Sequence, residues 1–353
     1  MFLSKKRGPG RPPKSRSTGV KLRLGILFLG MVTILGLLFR GGYLTQKTAA
    51  NLGRDVLGMV YEQEGRGTIN LELLLNKLFN RGEDFLKRYM RESVGGGKGL
   101  SDKELVNFKF AVVADSSQDT VFFPKILSRI QSLGVDFFLH LGDLTKDGDL
   151  AELRESKAIM DKTGLDYYVI PGDHDLNWFP DHSLQNFKAV FKGTTYSSFI
   201  HKNTAFILLD NSDHERGMSR QQMEWLEERF RQISELKLEK IFVFTHIPLY
   251  NELFPSKVMG QGRDGEGVGA QRDYLLGLFK DFGVDYIFSG DVHHFSQYFE
   301  PKTGLKMVTV GAACGESCKS FLPQYVLVTV YKDGRIDIIP KPYRELEDVR
   351  TSD

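Results

Sequence analysis

The sequence predicts an α/β protein, a sandwich of two β-sheets with helices on its outer faces, preceded by a segment that belongs in a membrane. Three observations carry this reading. From Asn107 onward, short apolar runs rich in Val, Ile and Phe alternate with helical patterns, as in a largely parallel sheet covered by helices. After Phe295 the helical patterns stop and strands follow one another directly, which adds an antiparallel part. Near the N-terminus a basic block runs straight into sixteen residues without a charge, Leu24 to Phe39, "LGILFLGMVTILGLLF".

Residues 1–23 hold eight Lys/Arg and no acid, whereas the remainder carries 39 basic against 45 acidic residues. The body is therefore mildly acidic, and the charge of the whole chain says nothing about nucleic acid. With Arg40 snorkelling and Gly41 to Leu44 continuing the span, residues 24–44 reach the ~20 needed to cross a bilayer as a helix. A cleaved signal peptide is the competing reading, but no small-residue cleavage site lies close behind Phe39, so a retained anchor is favoured. The basic excess ahead of the span keeps the N-terminus cytoplasmic and sends the rest of the chain outside. The tail "KKRGPGRPPKSR" could lie in a DNA minor groove as an extended arm. Beside a membrane span the same composition serves retention and contact with anionic lipid, and nucleic acid is not expected as a partner.

The expected organisation is a basic tail (1–23), a transmembrane anchor (24–44) and a helical juxtamembrane segment (45–94) with a stripe at Leu71, Leu74, Leu75 and Leu78. A Gly-rich linker (95–106), the main domain (107–340) and a short C-terminal tail (341–353) come after it. Within the main domain, strands are expected at 108–114, 135–141, 166–170, 204–210, 240–245 and 284–288, because these runs are short, apolar and β-branched or aromatic. Helical periodicity fills 119–133, 149–162, 218–236 and 270–281. The closing strands are expected at 295–300, 306–310, 324–331 and 335–339, the last two joined by a turn at Lys332-Asp333-Gly334. The glycine-rich stretch from Asn251 to Gly269 fits a substrate gate and a plain insertion equally well. Cys314 and Cys318 are spaced for a local disulfide, and two buried thiols fit the same spacing.

The chemistry sits at the strand ends. The first strand runs into Ala114-Asp115-Ser116-Ser117-Gln118-Asp119, the second into Gly142-Asp143, the third into Pro171-Gly172-Asp173-His174-Asp175. Later come Thr245-His246 and Ser289-Gly290-Asp291-Val292-His293-His294. Only the strand ending in Asp210-Asn211-Ser212 has no evident role. One such ending is weak, since Asp and His after a strand often cap the next helix. Five in chain order converge on a single crevice in an open parallel sheet. Carboxylates and imidazoles gathered there repel one another unless cations neutralise them, which points to two divalent metal ions. Two metals about 3.5–4 Å apart can clamp both oxygens of an in-line displacement and activate water near neutral pH.

From Asn107 to Pro340 this order resembles the calcineurin-like metallophosphoesterases, whose motifs run Asp-x-His, Gly-Asp, Gly-Asn-His-Asp/Glu, His and Gly-His-x-His. The resemblance implies a four-layer αββα sandwich and a dinuclear metal site. Carried over by position, Asp115, Asp143 and His293 would bind the first metal, and Asp143 would bridge to a second completed by Asp173, His246 and Asp291. His174 resembles the family histidine that contacts the phosphate and protonates the leaving oxygen, with Asp175 orienting it. Three departures stand out: Ser117 replaces the first histidine ligand, Asp173 an asparagine, and Asp291 another histidine. The extra carboxylates make the site harder and favour manganese, iron or magnesium over zinc. The function implied is a membrane-anchored, metal-dependent phosphoesterase acting through metal-activated water. The competing reading, suggested by Ser117, is a degenerate module that binds metal or a phosphorylated ligand without turnover.

Overall fold

In a computed structural model, the expected strands assemble into two sheets. It describes residues 105–343 apart from 178–181, 194, 262–264, 266, 316–317 and 319–322. The basic tail, the anchor, the juxtamembrane segment, nearly all of the linker and residues 344–353 lie outside the described residues. Among the described residues no helix is long and apolar enough to cross a membrane.

β1 (Val106–Val113), β2 (Phe137–His140) and β3 (Asp166–Val169) run parallel, with α1 (Phe122–Gln131) and α2 (Leu150–Asp161) as their crossovers. Asp149 starts α2 by accepting from the N–H groups of Ala151 and Glu152, an N-cap that satisfies donors the helix cannot. The chain then passes through α3 (Gln185–Phe191) into β4 (Ser197–His201) and β5 (Thr204–Leu208). After these come α4 (Arg220–Glu235), β6 (Lys240–Thr245), α5 (Val268–Asp281) and β7 (Tyr286–Ser289). β8 (Ser296–Phe299) and β9 (Lys306–Thr309) complete the second sheet, and the hairpin β10 (Gln324–Tyr331) and β11 (Ile336–Pro342) returns to the first. The first sheet has the order β11-β10-β1-β2-β3 and the second β4-β5-β6-β7-β9-β8. The second is parallel from β5 through β9 and carries antiparallel strands at both edges.

Three apolar layers hold these parts together. Phe110 from the first sheet and Phe206, Phe242 and Phe288 from the second are fully buried between the sheets. The rings of Phe110 and Phe206 meet edge to face with centroids 5.2 Å apart, a favoured aromatic geometry. On the outer face of the first sheet, Phe123 and Ile126 of α1 and Leu153 and Met160 of α2 cover Ala111, Val113 and Phe138. On the outer face of the second, Leu226 and Phe230 of α4 and Leu275 and Phe279 of α5 cover Ile207, Val243 and Ile287. Four layers, helix-sheet-sheet-helix, result. All five residues of β5 are buried because both of its faces are covered, which is why it reads as an unbroken apolar run.

One expectation changes. The five polar strand ends do not belong to a single open sheet. Three follow β1, β2 and β3 in the first sheet; two follow β6 and β7 in the second. They meet where the sheets join, at a parallel bridge between Ala114 and Ala312, with the Ala313 N–H donating to the Ala114 carbonyl at 2.8 Å.

Candidate metal centre

At this junction the structure brings all six expected ligands together. The ligating atoms of Asp115, Asp143 and His293 lie within 4.8 Å of one another, and so do those of Asp173, His246 and Asp291. A third group at the same spacing, Asp143, Asp173 and His174, links the two. Asp115, Asp143, Asp291 and His293 all hold left-handed backbone, at φ 54°, 56°, 59° and 58°, as does Ser117 at φ 45°. Positive φ is uncommon outside glycine, and its clustering at one spot marks a backbone bent to aim side chains inward. Glycine neighbours make room for this. A Cβ on Gly142 would come within 2.6 Å of the Gly172 Cα, so the two motif glycines pack backbone on backbone.

Each ligand candidate is fixed by a second contact. The Nδ1 of His246 lies 2.6 Å from the Leu141 carbonyl, which can only accept, so Nδ1 carries the proton. Nε2 is then the nitrogen that faces Asp173 at 3.1 Å and Asp143 at 3.3 Å. The N–H groups of His246 and Ile247 both donate to Oδ1 of Asn211, at 2.9 and 3.0 Å. Asn211 thus clamps the His246 turn, giving a role to the one strand end that has none evident in the sequence. Asp115 Oδ1 accepts the Asp291 N–H at 3.2 Å and stands 3.6 Å from His293 Nε2. Its other oxygen, Oδ2, is buried and has no hydrogen-bond partner among the described residues. A buried carboxylate oxygen without a donor, in a set of hard oxygens and imidazoles, is what a divalent cation satisfies. The residues present therefore fit the metal ions that the fold implies.

The electrostatics agree. Burial pushes the carboxyls of Asp115, Asp143 and Asp175 upward, Asp143 furthest, with Asp173 and Asp115 adding to it. Burial would also raise Asp173, but its hydrogen bond to His246 together with the positive charges of His246, His174 and Lys257 outweighs this and holds it below the usual carboxylate range. For His246, burial opposes the charge, yet attraction by Asp143 and the bond to Asp173 lift it well above the ordinary imidazole range. A proton and a metal compete for Nε2 of this ring.

A cavity of about 270 Å³ opens beside these residues, with Ser117, Asp143, Lys146, His174, His293 and Cys318 in its wall. His174 is exposed to it, and its Nδ1 lies 2.7 Å from the Lys146 carbonyl. This corrects the role expected for Asp175. The Asp175 carboxylate accepts from the backbone N–H groups of Leu144, Thr145 and Gly172 and from the Thr145 hydroxyl, at 2.9–3.2 Å. It braces the two loops that carry Asp143 and Asp173, and the Lys146 carbonyl orients the His174 ring. His140 is a buried core group: it accepts from the Gly142 N–H at Nδ1, faces the Ser116 hydroxyl at Nε2, and burial pushes it down to about 3. Cys314 and Cys318 are joined in a disulfide, and the Gly315 N–H between them donates to Asp119 at 2.8 Å, tying this segment to the loop of Asp115. Lys257 has no motif around it in the sequence, yet its Nζ donates to Asp291 Oδ1 at 2.7 Å.

Fold and site together define a two-sheet scaffold with a candidate metal centre at one end. The sequence profile of the calcineurin-like phosphoesterases matches residues 108–295, more than half of the chain, and the chain belongs to that family. No curated protein sequence matches it. Among solved structures it is similar to a purple acid phosphatase, PPD1, isolated from yellow lupin (Lupinus luteus) seeds. The identity is 14% and the TM-score 0.52, over 67% of this chain and 51% of that one. The chain thus spans about half the length of the lupin phosphatase. It is also similar to GAP50, the anchor in the inner membrane complex of Plasmodium (17% identity, TM-score 0.43, 67% of this chain and 90% of that one). A third is the protein TT1561 of Thermus thermophilus, at 14% identity and TM-score 0.42, over 66% of this chain and 98% of that one. At 14% identity the likeness to the lupin phosphatase is one of fold.

Proposed function

We propose that the protein is a metal-dependent phosphoesterase. The observation that carries this reading is the set of three ligand-competent groups linked through Asp143 and Asp173, beside a cavity whose wall takes Asp143 and His293 from them together with His174. Asp115, Asp143 and His293 would hold one divalent ion, and Asp143, Asp173, His246 and Asp291 a second. The ions would supply Lewis acidity and water activation. The protein's own part is orientation and proton transfer. Leu141 and Asn211 fix His246, and Asp175 holds the loops of Asp143 and Asp173 at their spacing. With Nδ1 of His174 held by the Lys146 carbonyl, Nε2 is the nitrogen left to exchange a proton with a leaving oxygen. Full-length protein with manganese and a chromogenic phosphate ester tests the reading directly, and hydrolysis lost with a chelator is the expected result. Ser117 favours one alternative, a binding module without turnover. Wild type inactive at saturating manganese beside an active Ser117→His variant would establish it.

Anchoring of the domain outside the cytoplasm is part of the same proposal, supported by the uncharged run after eight basic residues. A reporter fused after Asp353 is expected to be active outside the cytoplasm and to stay with membranes. Release of a soluble mature protein would assign residues 24–44 to a cleaved signal instead.

A further inference from the structure

Lys257 closes the short helical turn Pro255–Lys257 in the loop after β6, and its ammonium lies 2.7 Å from Oδ1 of Asp291. Asp291 belongs to the ligand group of Asp173 and His246. The lysine side chain is 48% exposed, and Asp291, Asp173 and Asp115 all attract its ammonium. A half-exposed ion pair contributes little to stability on its own. Its place matters more. A carboxylate has two oxygens, so Asp291 can give one to a metal and keep the other on Lys257. Four carboxylates, Asp115, Asp143, Asp173 and Asp291, would cancel two divalent ions completely; one ammonium leaves the loaded site with a net positive charge.

We propose that Lys257 is a phosphate-binding residue, held over the metal centre by Asp291 so that its ammonium meets a phosphoryl oxygen of the ester or of released inorganic phosphate. The inference rests on the phosphoesterase reading and deepens it. Two effects of opposite sign result. The ammonium repels incoming metal ions, and it attracts the phosphoryl group. A lysine that only struts Asp291 would not contact the phosphoryl group, and its loss would loosen the ligand and weaken metal and phosphate binding together.

The test uses the full chain with manganese alone, then inorganic phosphate added to the manganese-loaded protein, both followed by calorimetry. Lys257→Met is expected to bind manganese as tightly as wild type or up to about tenfold tighter, and phosphate about tenfold more weakly, as one charge at a half-exposed site implies. Lys257→Arg is expected to keep phosphate affinity within about threefold, since it keeps the charge while changing the shape of the donor. Manganese and phosphate affinities falling together in Lys257→Met would make the lysine a strut and overturn the proposal. Unchanged phosphate affinity, or a wild type that binds manganese but no phosphate, would overturn it as well. Neither measurement needs turnover, so an inactive wild type would remove the phosphoesterase reading while leaving this result to stand or fall by itself.

Discussion

Replacing Gly172 with alanine tests how tightly the backbone confines the site. Gly172 has φ −102° and ψ 179°, open to any residue, so the substitution carries no backbone penalty. The added Cβ, however, would overlap Oδ1 of Asp143 and lie 2.7 Å from Cε1 of His246. Asp143 has nowhere to go: it is 2% exposed, and the same oxygen accepts the His174 N–H at 3.0 Å. Overpacking of this kind costs about 1–3 kcal/mol of stability. The specific consequence falls on the metal. Asp143 belongs to two of the ligand groups and His246 to the third, so moving either should lower metal affinity by about 10–100-fold, the range for disturbed ligand support. Calorimetric titration with manganese measures this, with urea unfolding of the metal-free protein alongside. Gly134→Ala is the control. It has φ +62° and nothing within 4 Å of an added Cβ, so it should cost about 1–2 kcal/mol of left-handed strain and leave the metal alone. Unchanged manganese affinity in Gly172→Ala would refute the confinement argument. Equal losses in both variants would show that the assay reports global stability.

Ser117 shares the cavity wall with Asp143 and His293, so Ser117→His is expected to raise manganese affinity and the rate at limiting metal; a fall in either would show that an imidazole there cannot reach the ion. His174→Ala should keep its metal while turnover drops by ~10²–10⁴-fold, as for a lost general acid. If it loses metal instead, the grouping of His174 with Asp143 and Asp173 reflects ligation. His140 supplies a pH dependence. Unfolded, it takes up a proton near 6.5, but in the folded protein only at about 3. The unfolded state therefore binds more protons, and stability should fall as pH drops from 6.5 toward 3, by up to ~1.4 kcal/mol per unit. Unfolding free energies of wild type and His140→Gln between pH 4.5 and 7 isolate this contribution, since the other groups titrate in both; parallel slopes would contradict it.

Much of the fold and site is legible in the sequence, for identifiable reasons. Strands such as Thr204–Leu208 are buried on both faces and so form unbroken apolar runs that helices cannot mimic at that length. Edge elements are different. β4, Ser-Ser-Phe-Ile-His, mixes polar and apolar residues because one side is open, and the seven-residue α3 is too short to show a period; neither stands out in the sequence. The ligand candidates stand out because polar residues end apolar strands. Their supporting contacts do not. Asn211 and His246 are 35 residues apart and Lys257 and Asp291 are 34 apart, and no local pattern pairs them. Sequence adjacency pairs Asp175 with His174, whereas its carboxylate reaches back about 30 residues to Leu144 and Thr145. The left-handed backbone at the four ligand candidates is not legible in the sequence, since Asp and His tolerate it more than most residues but adopt it at only a minority of positions.

The division of the site between two sheets changes what its residues are for. The bond from His246 Nδ1 to the Leu141 carbonyl spans 105 residues and crosses from the second sheet to the first. The bond from the Asp291 N–H to Asp115 spans 176 and crosses in the same way. The candidate ligands are therefore also the stitches that close the sandwich at this end, while the phenylalanine layer sets the distance between the sheets. Because aromatic cores are close-packed and yield little, that distance is fixed before any ion arrives. The arrangement lets four carboxylates approach one another without a continuous backbone forcing them together. Each sheet presents its own share, and the sheet packing and His246 hold the shares at a spacing where metal ions can neutralise them.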